Sequence, residues 1–175
     1  MKIGILALQG DFAEHQVVLK RLGVQAAQVR LAADLAGLDG LIIPGGESTT
    51  IGKLAEDFGL MQPLRDFCKQ HAVWGTCAGA IFLSKDARRN QPLLGVMDIT
   101  VQRNAFGRQV DSFEIDLQVP ALTAVDPSGK PYHAVFIRAP LIEAVHGTAQ
   151  ALSSLPDGRI VAAQQGKLLA TSFHP

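Results

Sequence analysis

Cys77 stands at the centre of Gly75-Thr76-Cys77-Ala78-Gly79, between the apolar runs Ala72-Val73-Trp74 and Ala80-Ile81-Phe82-Leu83. That spacing reads as a nucleophile on a sharp strand-to-helix turn. In the analogous Gly-x-Ser-x-Gly pattern, glycines flank the nucleophile because the strained turn brings neighbouring backbone too close for side chains. A cysteine there gains from the unsatisfied N–H groups and macrodipole of a helix N-terminus, which favour the reactive thiolate. The same geometry aims the N–H of Ala78 at a developing oxyanion. A cysteine without such surroundings is ordinarily a small buried hydrophobe. The chain carries its own control: Cys68 falls on the apolar face of the helical pattern Leu64-Arg65-Asp66-Phe67-Cys68, with no glycine nearby, and is expected in the core.

A cysteine nucleophile needs a base, and the histidines are His15, His71, His133, His146 and His174. His174, in Thr171-Ser172-Phe173-His174-Pro175, is expected at the end of a strand, where proline stops the ladder. His15 falls in a helix, His71 at a helix's polar end, His133 at a strand start and His146 beside Gly147, all contexts for packed or solvated histidines. For His174 the residues alone leave the catalytic and the ordinary role both open.

The elements that must position these groups alternate through the first half: a strand over 2–8, a helix over 11–22 closed by Gly23, and strands over 24–30 and 38–43. Such alternation predicts a parallel sheet covered by helices. Asp11 followed by Glu14 reads as a capping-box start and Gly23 as the residue just past a helix end. The Pro44-Gly45-Gly46 turn leads into Glu47-Ser48-Thr49-Thr50 and a helix to about residue 58, and Pro63 suits a further helix start. In an open α/β sheet, sites gather beyond the carboxyl ends of the strands, so the Gly45-Gly46 turn and Cys77 are expected to share a crevice. After Gly95 the chain reads as strands over 96–102, 109–119, 133–137, 151–155, 159–165 and 167–173, antiparallel additions to the same sheet or its edge.

Of the 175 residues 47% are hydrophobic, enough for one well-buried domain, and no repeat or linker argues for a boundary within 1–175. Formal net charge is zero and no basic cluster exceeds Lys85 to Arg89, so nothing points to nucleic acid or an anionic membrane. The apolar start is too short for a signal peptide, and no stretch approaches transmembrane length. Two cysteines make no disulfide framework, which fits a reducing cytoplasm. No Cys-x-x-Cys or His-Glu-x-x-His pattern calls for a metal or cofactor.

Taken together, GTCAG around Cys77, PGGEST from Pro44 and the closing FHP resemble the triad-type (class I) glutamine amidotransferases. LALQGDFAEH from Leu6, RNAFGRQVDSFE from Arg103 and VFIRAP from Val135 narrow the resemblance to the glutaminase subunits of pyridoxal 5′-phosphate synthase. The resemblance implies a three-layer, flavodoxin-like α/β fold with a mostly parallel central sheet flanked by helices, plus antiparallel additions. It implies that Cys77 attacks the side-chain amide of L-glutamine, with His174 as general base and acid. Gly46 and Ala78 would form the oxyanion hole, and Gly46, Glu47, Ser48, Arg103, Ile137 and Arg138 would bind glutamine. Guanidinium groups suit a carboxylate and Glu47 an ammonium. On the residues alone, Arg103 and Arg138 also read as surface arginines, and Glu47 and Ser48 as helix-capping residues. The implied partner is a synthase subunit that takes the ammonia to make pyridoxal phosphate, with no cofactor or metal in the glutaminase itself. The Gln9-Gly10 turn is expected near the oxyanion hole.

The family pattern also places a glutamate directly after the His-Pro pair, as third triad member, and then a C-terminal helix. The sequence stops at Pro175, so it reads as truncated, and no acid is assigned; Glu143 and Asp157 are not promoted to the role. Other enzymes of the fold, such as the glutaminase of imidazole-glycerol phosphate synthesis or a peptidase-like relative, disagree with RNAFGRQ and FIRAP. A non-catalytic binding subunit is the rival of a different class.

Overall fold

The computed structural model describes residues 1–103 and 112–174. In chain order the elements are β1 (Lys2–Leu6), α1 (Phe12–Arg21), β2 (Gln25–Val29), β3 (Gly40–Ile43), α2 (Ser48–Asp57), α3 (Met61–Gln70), β4 (Ala72–Thr76), α4 (Ala78–Leu83), β5 (Ser84–Asp86), β6 (Met97–Gln102), β7 (Ser112–Leu117), β8 (Tyr132–Ile137), β9 (Leu141–Val145), β10 (Gln150–Ser154), β11 (Ile160–Gln165) and β12 (Leu168–Thr171). The main sheet runs β2-β1-β3-β4-β12-β11-β9-β6-β5, with β10 added against β11.

The sheet has two halves of different character. From β2 to β12 every pairing is parallel. The ladder then turns antiparallel through β11, β9 and β6. This is the mixed α/β architecture the alternation predicts. All four residues of β3 are buried, as expected for a strand covered on both faces. Because β1, β3, β4 and β12 run in one direction, the loops after Leu6, Ile43, Thr76 and Thr171 emerge on one side of the sheet.

Local chemistry sets the boundaries. Helix α1 ends in a Schellman motif: Gly23, at φ 69°, donates its N–H to Lys20, and Val24 donates to Leu19. Helix α4 is short and buried throughout, packed on β4, β3, β6, β12 and α2. Burial of Phe82 alone contributes roughly 1.5–3 kcal/mol, and that packing fixes where the helix begins.

Two differences from the expectation concern the second half. Strands β7 and β8 form a ribbon of their own instead of extending the main sheet. The ribbon is seated by Leu117, Ala134 and Phe136 against Leu155, Val161, Ala162 and Phe173, with the Phe113 and Phe136 rings stacked at 4.5 Å. Once both ribbon strands spend an apolar face on that second core, no sheet edge is needed. The other difference is β9, which no expected strand covers; it sits between β6 and β11 with Glu143 exposed in its middle. The first residues of the strand expected over 109–119, and most of the RNAFGRQ signature, lie outside the described residues, as does Pro175.

Candidate functional site

Cys77 has φ 48° and ψ −104°, a positive φ that side-chain-bearing residues rarely adopt and that costs on the order of 1–3 kcal/mol. Backbone proximity explains the flanking glycines. A Cβ on Gly75 would lie 2.6 Å from the Gly79 backbone, and a Cβ on Gly79 would overlap the Ile43 carbonyl. The Cys77 N–H donates to the Thr171 carbonyl at 2.8 Å, tying the nucleophile to β12. Ala78 opens α4 directly after it.

The same strand delivers His174. Three residues beyond Thr171, its backbone N–H donates to Val135 at 2.9 Å, an isolated bridge to the ribbon. Its ring Nδ1 meets Oδ2 of Asp11 at 2.8 Å, and the ring also bonds Cys77. With Nδ1 engaged by a carboxylate, Nε2 is left for the sulfur. The bond to Asp11, followed by the bond to Cys77, lifts the His174 pKa to about 10 against the opposing effect of burial. Burial works against ionisation of Asp11, yet the hydrogen bond and charge of His174 prevail and hold its carboxyl below the usual range. The pair is therefore imidazolium and carboxylate near neutral pH.

Asp11 departs from the capping-box expectation. It stands at the N-cap of α1, but its side chain makes no cap hydrogen bond. A cap of this kind contributes about 1 kcal/mol, less than a charge-assisted bond to a half-buried imidazolium. Sequence reading missed Asp11 because its partner is 163 residues away. The available signal was its place just beyond the carboxyl end of β1.

Opposite lies the Pro44-Gly45-Gly46 loop. Gly46 has φ 142°, and a Cβ there would lie 2.5 Å from Oε1 of Gln9 and 2.8 Å from Gly10. Gln9 Oε1 accepts the Glu47 N–H at 2.7 Å, and the Asp11 N–H donates to Gly45. The Gln9-Gly10 turn thus abuts the Gly45-Gly46 loop.

A cleft of about 670 Å³ gathers all nine predicted site residues, Gly46, Glu47, Ser48, Cys77, Ala78, Arg103, Ile137, Arg138 and His174, together with Asp11, Glu14 and His15. Glu47 serves twice. Its carboxylate caps α2 through Thr49 and receives Arg103 Nη2 at 2.7 Å. Burial opposes its ionisation, and the bonds from Thr49 and the charge of Arg103 overcome that, lowering its pKa. Ser48 is buried at the first turn of α2 and accepts a hydrogen bond from Gln91. Ile137 and Arg138 end the ribbon on the open side of the cleft, Arg138 at φ 44°.

Three of the remaining histidines are occupied elsewhere: His71 stacks on Phe67, His146 bonds Thr100, and exposed His133 lies between Asp116 and Glu114. His15 is buried edge-on against Trp74 at the inner wall of the cleft, and burial lowers its pKa, keeping it neutral. Cys68 is in the core, its thiol pushed up to about 12 by burial. Among the described residues, no group of three His, Cys, Asp or Glu side chains could hold a metal ion. No helix among them is long and apolar enough to cross a membrane.

The arrangement suits covalent acyl transfer: a strained nucleophile, a proton carrier in contact with it, backbone amides at the turn, and charged groups of both signs on the rim. Residues 5–175 match the model of the SNO glutamine amidotransferase family. A protein of Herpetosiphon aurantiacus named pyridoxal 5′-phosphate synthase subunit PdxT is 56% identical over the whole of this chain and 92% of its own length. A protein of the same name from Moorella thermoacetica is 54% identical, with 91% of its length covered. A solved structure described as a glutamine amidotransferase superposes with a TM-score of 0.90 at 49% identity, covering 99% of this chain and 89% of the other. A second solved structure, a glutamine amidotransferase from Thermotoga maritima, shares the fold at 12% identity and a TM-score of 0.67, over 99% of this chain and 75% of the other.

Proposed function

The chain belongs to the SNO glutamine amidotransferase family, and on that footing we propose that it hydrolyses L-glutamine to glutamate and ammonia, supplying the ammonia for synthesis of pyridoxal 5′-phosphate, vitamin B6. The observation that carries the reading is Cys77 on its strained turn with His174 bonded to it, inside a cleft whose rim holds Arg103, Arg138 and Glu47.

Cys77 Sγ attacks the amide carbon of the glutamine side chain, and the carbonyl π electrons move to oxygen. The N–H groups of Ala78 and Gly46 receive that oxyanion, a contribution of about 10² to 10³ in rate per donor in comparable sites. The intermediate collapses as the C–N bond breaks and His174 gives its proton to the departing ammonia. The product is a glutamyl thioester on Cys77. Water then attacks with His174 as base, the C–S bond breaks, and glutamate leaves with the thiolate restored. Arg103 and Arg138 suit the α-carboxylate and Glu47 the α-ammonium, with Ser48 and Ile137 completing the wall. Glutamine entry then requires Glu47 and Arg103, paired with each other across the cleft, to turn toward the substrate.

The partner is a synthase that consumes the ammonia, since the relatives are named as subunits of such an enzyme. A reducing cytoplasm suits the two free thiols. The test is glutamate release from glutamine by the protein with and without its synthase, beside Cys77→Ala. Release should appear with the synthase and vanish in Cys77→Ala. Undiminished release in that variant, or none from the wild type in either condition, would sink the reading.

A further inference from the structure

We propose that Gln91 is a positioning residue of the site: its side-chain amide donates to Ser48 Oγ and so leaves the Ser48 hydroxyl proton to point into the cleft, toward the carboxylate of the bound amino acid. The inference rests on the glutaminase reading above, which puts Ser48 in the wall of the glutamine site. Gln91 itself does not line that cleft.

Ser48 is only 1% exposed, yet it lines the cleft as the first residue of α2. Gln91 Nε2 lies 3.1 Å from its Oγ and is the hydroxyl's hydrogen-bond partner among the described residues. A hydroxyl has one proton to give and two lone pairs to offer, whereas an amide nitrogen can only donate. With Gln91 on one lone pair, the Ser48 O–H is left as a donor, and a carboxylate is the strongest acceptor an amino acid brings to it. The far end of the amide shows that the contact does little for folding. Gln91 Oε1 is buried with no hydrogen-bond partner among the described residues. A buried acceptor left unpaired is destabilising, which offsets what the single bond to Ser48 contributes.

The loop between β5 and β6 is held so as to deliver Gln91. Before it, Arg88 bonds Glu143 of β9 through Nε and Nη2 at 3.0 and 2.7 Å. After it, Arg65 of α3 donates to the Leu94 and Leu93 carbonyls at 2.9 and 3.1 Å, and the Leu94 N–H donates to Phe82 of α4. Between these anchors Pro92 lies on α2: a Cβ on Gly52 would sit 2.6 Å from the Pro92 carbonyl oxygen and 2.9 Å from its Cβ. Gly52 follows Ser48 by four residues and so shares its face of the helix. Backbone contact one turn away therefore sets the height at which Gln91 meets the hydroxyl.

The test uses the full chain with its synthase and L-glutamine as ligand. KM and kcat are read from glutamate release, and Kd from calorimetry in the Cys77→Ala background. Gln91→Met keeps the length and removes the donor. It should raise KM and Kd about threefold to tenfold, with kcat little changed and the urea midpoint unmoved. Gln91→Glu is close in shape but when ionised can only accept, so it draws the Ser48 proton away from the cleft and should weaken binding at least as far. Ser48→Ala should weaken binding about tenfold, and adding Gln91→Met to it should change nothing further, since no hydroxyl is left to orient. Additive effects in that double variant, or wild-type KM and Kd in Gln91→Met, would overturn the assignment. So would a weaker KM that comes with a lowered urea midpoint, which would make Gln91 a support of its loop. Glutamine bound by Cys77→Ala but not hydrolysed by the wild type would remove the hydrolysis reading and leave Gln91 to be decided on Kd. No glutamine binding at all would overturn both.

Discussion

The parallel half of the sheet and the β7–β8 ribbon build opposite walls of one cleft by different means. On the parallel side, position is set by backbone against backbone: Gly75 on Gly79, Gly79 on Ile43, Gly10 on Gly45. On the ribbon side Val135 secures His174 through one bridge, while Ile137 and Arg138 stand exposed at the end of a two-stranded element. The first wall fixes reacting atoms and the second presents side chains to whatever enters. On the proposed reading, placement of the reacting atoms falls to the backbone-packed half, and the ribbon adds Ile137 and Arg138 to the groups that meet the ligand.

The sharpest way to break that contrast is Gly79→Ala. Its Cβ overlaps the Ile43 carbonyl, so α4 must move away from β3. The expected outcome is a loss of roughly 1–3 kcal/mol in urea unfolding together with loss of turnover, because the displaced residue is next but one to Cys77. Wild-type stability would mean that this backbone is not close-packed.

Arg138→Ala, on the ribbon, should behave differently. KM for glutamine should rise on the order of tenfold to a hundredfold, as for loss of a charged hydrogen bond worth about 1.5–3 kcal/mol, with the unfolding midpoint unmoved. A fall in kcat at constant KM would show that the ribbon takes part in placing the reacting atoms.

The smallest effect concerns pH. The folded pKa of His174 is raised from 6.5 to about 10, so its contribution to stability is full below pH 6.5 and is lost as pH rises through about 10. Asp11 is lowered from 3.8, so its contribution is present above pH 3.8 and lost as pH falls through the folded value. Thermal midpoints from about pH 3 to about pH 10.5 should therefore decline more gently at both ends in Asp11→Asn than in the wild type. Parallel curves would show the pair to be energetically idle.

The same contrast explains what the sequence could say. The strand-to-helix turn at Cys77 was legible because glycine at both flanks has a local steric cause, and α1 was legible through Gly23. The separate ribbon was not, since alternation over 112–117 and 132–137 predicts strands without saying which apolar surface they cover. Strand β9 escaped because Glu143 interrupts its apolar pattern, and its identity comes from its neighbours β6 and β11. Asp11 reads as a cap in the sequence because the cap is a local explanation and His174 is a distant one.

The Gly45 peptide ties several positions to one another. Its oxygen receives the Asp11 N–H and leaves no room for a side chain on residue 10, while its α-carbon lies under the His174 ring. An enlarged residue at 10 or 45 meets backbone or imidazole at once. One peptide therefore holds both turns to glycine, at position 10 through its oxygen and at position 45 through the ring above it.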